Sequence, residues 1–245
     1  MNVKIDLHIH TLLSPCAGIE MIPINIVRKA LEMGDDIIAI TDHNAVGNIS
    51  SVIRAGLKYA SNILILPGIE ITSKEEVHIL GIFPTMEEAY KIEEIIHNNL
   101  SESYNKDYIF DQLMVDEDAN FLRYEEHFLL GATSLTIEEI VELIHSLDGI
   151  AIPAHIDRES FGLIYTLGFF PSDLNVDAVE VSKFATRDEI SNLKKILPPE
   201  MPIIFSSDAH FLEDFITPRT IISLEEKSFN ALKVALKSLH SYKEV

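Results

Sequence analysis

The sequence predicts an α/β fold: a parallel sheet covered by helices, either doubly wound or closed as a barrel. Two observations carry this. Seven short strand-like runs alternate with amphipathic stretches along the chain, the pattern of repeated strand–helix–strand units. Some of these runs are apolar throughout, as Ile37, Ile38, Ala39 and Ile40 are, which suits a strand buried on both faces. A third observation bears on function. Histidines and carboxylates gather at the ends of the runs, and in parallel α/β folds the C-terminal strand edge holds the functional groups.

Residues 3–8 read as the first strand, which runs into polar residues. Ile26, Val27, Ala30 and Leu31 at helical spacing mark a helix over 25–33. A strand at 37–40 and a helix at 49–60 follow. The run 63–66 continues through Pro67 and Gly68 to Ile71, and 77–83 is the next strand. Residues 150–153, 178–181 and 203–205 supply three more, with helices at 136–147 and 187–197 between them. Thr136 with Glu139 fits a capping box. Residues 226–245 read as a surface helix with one face on the body. The segment 84–132 breaks the rhythm. It carries helical patterns at 86–100 and about 104–114, then a polar stretch, and is too long for a simple crossover. It reads as an insertion within a single domain of 1–245, either a helical cap over the barrel mouth or a surface decoration.

The chain has 245 residues, 47% of them hydrophobic, enough for one sizeable core. Asp and Glu number 39 against 19 Lys and Arg, a formal charge of −20. Such a surface repels anionic membranes and argues against long nucleic acid as a partner. It leaves room for a small phosphorylated substrate held by local cations. Cys16 is the only cysteine, which excludes an internal disulfide framework and a Cys-only zinc site. The first residues lack the apolar region of a secretory signal, and no run of about 18 apolar residues occurs. A cytoplasmic location without a membrane span is the expectation.

Six of the ten histidines, His8, His10, His43, His78, His155 and His210, lie at or beside predicted strands. All but His78 fall at C-terminal ends, accompanied by Asp6, Asp42, Glu70 and Asp208. Asp6, His8 and His10 share one side of an extended strand. Two imidazoles so placed can share a metal, and Asp6 is a candidate to orient one of the rings. Glu70 sits inside an apolar strand, where an unpaired carboxylate is expensive, so a metal or a salt bridge must compensate. His97, His127, His145 and His240 stand on helical or polar segments without a motif and read as structural.

Taken in order, DLHIHT at 6–11, TDHN at 41–44, GIEI at 68–71 with His78 after it, PAH at 153–155 and SDAH at 207–210 resemble the PHP (polymerase and histidinol phosphatase) family of metal-dependent phosphoesterases. The resemblance implies a distorted (β/α)7 TIM-like barrel with two or three divalent ions at its mouth. It implies that His8, His10, Glu70 and Asp208 hold one ion. Glu70 would bridge to a second, with His78 and His155, and His43 and His210 would hold a third. Where many members carry Asp or His to complete that third site, this chain has Ser14, Pro15 and Cys16. Proline cannot be a ligand, whereas a Cys16 thiolate can bind zinc or iron. The donor set admits zinc, manganese or iron.

Charge then dictates the expected chemistry. A phosphate ester is anionic and resists neutral water. Divalent ions hold its oxygens, acidify a bound water and stabilise the leaving oxygen. The expected nucleophile is therefore a metal-bridging hydroxide, with His43, Asp208 and His210 as candidates for proton transfer. Arg158, three residues after His155, is the first candidate for substrate phosphate, with Lys183 and Arg219 behind it. Phe161, Phe169 and Phe170 read as core packing or as an apolar wall near Arg158. Three functions compete: a phosphomonoesterase acting on a small metabolite or nucleotide, an exonuclease or short-oligonucleotide phosphodiesterase, and a non-catalytic metal-binding module. The last predicts damaged ligands, yet eight of the nine positions implied by the resemblance carry competent residues.

Overall fold

The computed structural model describes residues 1–59, 62–100, 111–216 and 219–237. A six-stranded sheet runs in the order β10-β1-β2-β3-β4-β7, formed by β1 (Asn2–Ile9), β2 (Ile37–Ile40), β3 (Leu64–Thr72), β4 (His78–Ile82), β7 (Ile150–Pro153) and β10 (Thr220–Ser223). β1, β2 and β3 are parallel. β4 runs antiparallel to both β3 and β7, and β10 antiparallel to β1. The sheet is thus mixed, not parallel throughout as expected. The reason lies in residues 73–77, a link too short for the helical crossover that parallel neighbours require. The reversal carries His78, the first residue of β4, to a position opposite Thr72, the last residue of β3. His78 therefore reaches the same edge as the C-terminal ends of the parallel strands.

β8 (Val179–Glu180) and β9 (Ile203–Ile204) form a parallel pair. The amide of Ile156, just past β7, donates to Glu180 O, and the amide of His10 donates to Ala209 O. These bonds curl the sheet around toward β1 at the histidine edge. The helices are α1 (Pro23–Met33), α2 (Ile49–Tyr59), α3 (Met86–His97), α4 (Ile137–Ser146), α5 (Leu163–Leu167), α6 (Arg187–Ile196) and α7 (Phe229–Lys237). The capping box of α4 is present, with Glu139 N donating to Thr136 Oγ1 at 3.3 Å and Thr136 N to the Glu139 carboxylate at 2.8 Å.

Strand alternation divides the apolar residues between two cores. Ile38, Ile40, Ile69 and Ile71 pack with the buried faces of α1, α2, α3 and α4. Ile37, Ala39, Leu66 and Ile152 face the other side, where Phe229, Leu232 and Leu236 of α7 cover them. Both faces are buried, which is why β2 reads as a continuous apolar run.

Of the two helices expected in 84–132, α3 forms and buries Ala89, Ile92 and Ile96. The second, at about 104–114, lies mostly outside the described residues. From Leu113 its described end is extended, where β5 (Leu113–Val115) pairs antiparallel with β6 (Phe121–Tyr124). The turn is built by Asp116, whose carboxylate accepts from the amides of Asp118 and Asn120 at 3.0 and 2.8 Å, an aspartate turn signal that periodicity misses. The hairpin docks on α2 and the loop before it. Asn48 donates to Leu113 O and accepts from Val115 N, and Ser51 donates to Val115 O. No described helix is long and apolar enough to cross a membrane.

Candidate metal centre

β1 brings His8 and His10 to the edge on the same side, both buried, with their Nε2 atoms 3.1 Å apart. Glu70 of β3 stands at the centre and is 1% exposed. Its Oε1 lies 2.8 Å from His78 Nδ1, 3.2 Å from His155 Nε2 and 3.3 Å from His8 Nε2. Its Oε2 lies 2.9 Å from His43 Nδ1 and 3.3 Å from His10 Nε2. One carboxylate therefore faces five imidazoles from four different chain segments. Asp208 Oδ1 lies 3.4 Å from His8 Nε2, 3.6 Å from His10 Nε2 and 3.4 Å from His210 Nδ1. His10 and His210 stack at 3.9 Å.

The structure thus gathers His8, His10, Glu70 and Asp208, and places His78 and His155 on one oxygen of Glu70. His43 is nearer the centre than the resemblance implies, since it meets Glu70 as well as His10 and His210. Within this cluster, three groupings of described residues bring donor atoms within 4.8 Å of one another: His8–His10–Glu70, His43–Glu70–His78 and His10–His43–His210. Cys16 sits at the rim beside His43 and His210. Partial burial raises its thiol pKa, but hydrogen bonds with these two histidines outweigh that and bring it to about 6.

The cluster is electrostatically unsettled as protein alone. Burial pushes His78 down to about 4. Burial also acts on His43, yet Glu70 and Cys16 carry it up to about 10. Glu70 is held well below the carboxylate range, because His78, His8 and His43 outweigh the cost of burial. Glu70 Oε2, His43 Nδ1 and His78 Nδ1 are buried without a hydrogen bond. Orphaned polar atoms of this kind are costly, and a cation among them removes the cost. Imidazole, carboxylate and thiolate donors fit zinc, iron or manganese.

Outer contacts aim the rings. Glu180 Oε1 lies 2.9 Å from His8 Nδ1, which leaves Nε2 facing Glu70 and Asp208. The same oxygen accepts from His155 N at 3.2 Å. Ser14 Oγ lies 3.0 Å from His10 Nδ1 and donates to Asp42 at 2.7 Å. Asp42 also accepts from Thr11 N and Oγ1. Asp6 does not orient a ring as expected. It pairs with Arg219 at 3.0 Å and accepts from Ser207 N at 2.9 Å. Sequence reasoning missed Glu180 and Ser14. Glu180 carries the same signal as Glu70, a carboxylate in an apolar strand.

The three phosphate candidates part company. Arg158 opens onto a cavity of about 300 Å³ at the cluster, with Nη1 2.6 Å from Asp208 Oδ2. Lys183 does not line that cavity and is tied to Asp214 at 3.1 Å with its side chain 5% exposed. Arg219 is fully buried between Asp6 and Asp35 and donates to Ile216 O. Neither Lys183 nor Arg219 lines the cavity, and each is engaged by a carboxylate, buried Asp6 for Arg219 and part-exposed Asp214 for Lys183. Phe161 lines the cavity and stacks on His78 at 4.3 Å and 12°. Phe170 is in the core and Phe169 is exposed, so the aromatic segment splits. His155 and Asp208 adopt positive φ of 29° and 46°, a backbone strain that recurs at functional sites.

A family model described as PHP domain matches residues 6–166. No curated protein matches the chain in sequence. Among solved structures, the lesion-specific endonuclease Q of Pyrococcus furiosus is similar, with a TM-score of 0.69 and 20% identity. The likeness covers 100% of this chain and 58% of that one, so the chain spans little more than half of endonuclease Q. Endonuclease Q has also been solved with a 27-mer duplex bearing an abasic lesion at its active site. A proposed metal-dependent phosphoesterase from Bifidobacterium adolescentis is similar with a TM-score of 0.60 and 17% identity, over 95% of both chains. PsfC from Pseudomonas syringae gives a TM-score of 0.58 and 15% identity, over 96% of this chain and 88% of that one. At these identities the likenesses establish the shared fold.

Proposed function

The chain belongs to the PHP domain family, and from that premise we propose that it is a metal-dependent phosphoesterase acting on a small phosphorylated metabolite or nucleotide. The observation that carries the proposal is Glu70, a buried carboxylate facing five imidazoles with one oxygen left without a hydrogen bond. We assign His8, His10, Glu70 and Asp208 to one ion, Glu70, His78 and His155 to a second, and His43, His210 and Cys16 to a third. Zinc, manganese and iron all suit these donors. When bound, such ions hold phosphate oxygens, activate water and stabilise the leaving oxygen.

The chain's own residues do the rest. Glu180 and Ser14 fix the outer nitrogens of His8 and His10, so that both Nε2 atoms face the centre. Arg158 exchanges Asp208 for the substrate phosphate, to which a guanidinium offers two parallel donors. Asp208, His43 and His210 stand where protons leave or arrive, and His210 is the most exposed of them. Phe161 and Leu130 give the cavity apolar walls. We read the curled sheet as a distorted (β/α)7 barrel and residues 84–132 as its partial cap. Asn44 supports the second reading, since its side chain donates to Leu129 O and Gly131 O on either side of Leu130.

Hydrolysis of nucleic acid is the second reading. Its support is the fold shared with endonuclease Q, which acts on duplex DNA. That likeness weakens the argument from net charge against long nucleic acid. The charge of −20 still disfavours an extended phosphate track. The deciding experiment reconstitutes the protein with zinc, manganese or iron(II) and offers a phosphomonoester panel, a short single strand and an abasic duplex. Turnover confined to monoesters supports the first reading. Cleavage of the strands alone establishes the second. No turnover of any substrate by metal-loaded protein contradicts both and favours a non-catalytic module.

A further inference from the structure

We propose that His97, Glu125 and His127 form a separate divalent-metal site of zinc type, which clamps the insertion to the loop carrying His43. His97 ends α3, while Glu125 and His127 follow β6. Their rings stack at 3.9 Å, and one donor atom from each of the three side chains lies within 4.8 Å of the others. None of the three lines the cavity at Glu70.

Hydrogen bonding fixes which nitrogens remain. His97 Nε2 lies 2.9 Å from Asn44 O. A carbonyl only accepts, so the proton is on Nε2 and Nδ1 keeps its lone pair. His127 Nδ1 lies 2.7 Å from Glu125 Oε1, which also accepts from the amides of Glu126 and His127. The His127 proton is therefore on Nδ1, and Nε2 keeps its lone pair. All three of these bonds use Glu125 Oε1, which leaves Oε2 for a ligand. Each side chain thus retains one donor that the protein does not use. A ring whose outer N–H is held by a carbonyl or carboxylate is the usual disposition of a ligating histidine. Two imidazoles and a carboxylate, with water in the fourth place, make a common zinc set. His127, about half exposed, leaves room for that water.

Charge points the same way. Glu93, one turn before His97 on α3, accepts from Val46 N at 2.7 Å. Burial pushes its carboxyl up and the charge of Glu125 adds to this, while the Val46 amide, Arg123 and His127 offset part of it. A cation at the cluster relieves that repulsion. The clamp would join α3, the tail of the hairpin and the Asn44 loop, and Leu130 on that tail lines the cavity.

The test counts zinc bound by the full chain in competition with a chromophoric chelator. Wild type is compared with His127→Ala and with Glu125→Gln, which keeps the acceptor for the two amides, and circular dichroism checks the fold. The expected result is about one zinc fewer per chain in each variant. Zinc counts equal to wild type in both folded variants overturn the proposal. Crystals of zinc-loaded wild type supply a second measurement that needs no variant. An anomalous peak between His97 and His127 supports the site, and peaks at Glu70 without one here overturn it. Because the two sites are counted separately, failure here leaves the phosphoesterase reading standing.

Discussion

Glu180 Oε1 lies 2.9 Å from Nδ1 of His8, and both side chains are buried. The carboxylate fixes the tautomer of His8 and points its Nε2 at Glu70 and Asp208. Removing such a partner typically costs 10–100-fold in metal affinity. Glu180→Ala is expected to weaken metal binding by about that factor while His8 itself remains. Competition with a chelator reads the change, and an affinity equal to wild type removes Glu180 from the account.

Arg158 contacts Asp208 at 2.6 Å and borders the cavity. If it trades that contact for substrate phosphate, Arg158→Ala raises KM for a phosphomonoester and leaves kcat within a few fold. A charge-assisted bond contributes about 1.5–3 kcal/mol, so the rise in KM is roughly 10–100-fold. Steady-state kinetics at fixed metal checks this, and an unchanged KM contradicts the assignment.

Asp35 is buried beside Arg219 and Lys4, with neither oxygen hydrogen-bonded. Burial, and then the charge of Asp6, push its carboxyl up to about 7, against Arg219 and Lys4. The folded state therefore binds this proton more tightly than the unfolded one. Below about pH 4 both states are protonated and the group is neutral to stability. Between about pH 4 and 7 the unfolded state ionises first, and stability falls by roughly 1.4 kcal/mol per pH unit. Above about pH 7 the loss is complete. Asp35→Asn removes this dependence, so its stability relative to wild type should improve as pH rises through that window. Urea unfolding in chelator at about pH 5 and pH 7.5 measures it. A wild-type-to-variant difference that is the same at both pH values contradicts the shift.

Much of the site was legible in the sequence because ligands at strand ends leave a mark, polar residues closing apolar runs. His8, His10, His43, His155 and Asp208 carry it, Glu70 is marked instead as a carboxylate inside an apolar strand, and the family resemblance implied their grouping. His78 lay on a recognised strand but off the expected edge, until the short link at 73–77 showed that β4 runs backwards. Glu180 ends a strand of only two residues, too short for its alternation to declare which face it uses. Arg219 and Lys183 look like free cations along the chain. Their partners Asp6 and Asp214 are set by tertiary packing, which local spacing does not encode. Of the hairpin Leu113–Tyr124 only the first two residues overlap the helical pattern and the rest reads as a polar stretch, because the Asp116 turn, not periodicity, dictates its shape. His97 and His127 meet only because α3 and the hairpin tail pack together, so nothing local marked them as a pair.

If Glu70 joins the bound ions, its loss must show in the metal content per chain. Wild type and Glu70→Gln are purified without chelator, incubated with zinc, manganese and iron(II) in turn, and assayed for bound metal and phosphoester turnover. Wild type is expected to hold about two or three ions at the Glu70 cluster, with metal and activity lost together in Glu70→Gln. A wild-type mouth that stays empty after all three metals, or a Glu70→Gln protein with full metal and full activity, contradicts it.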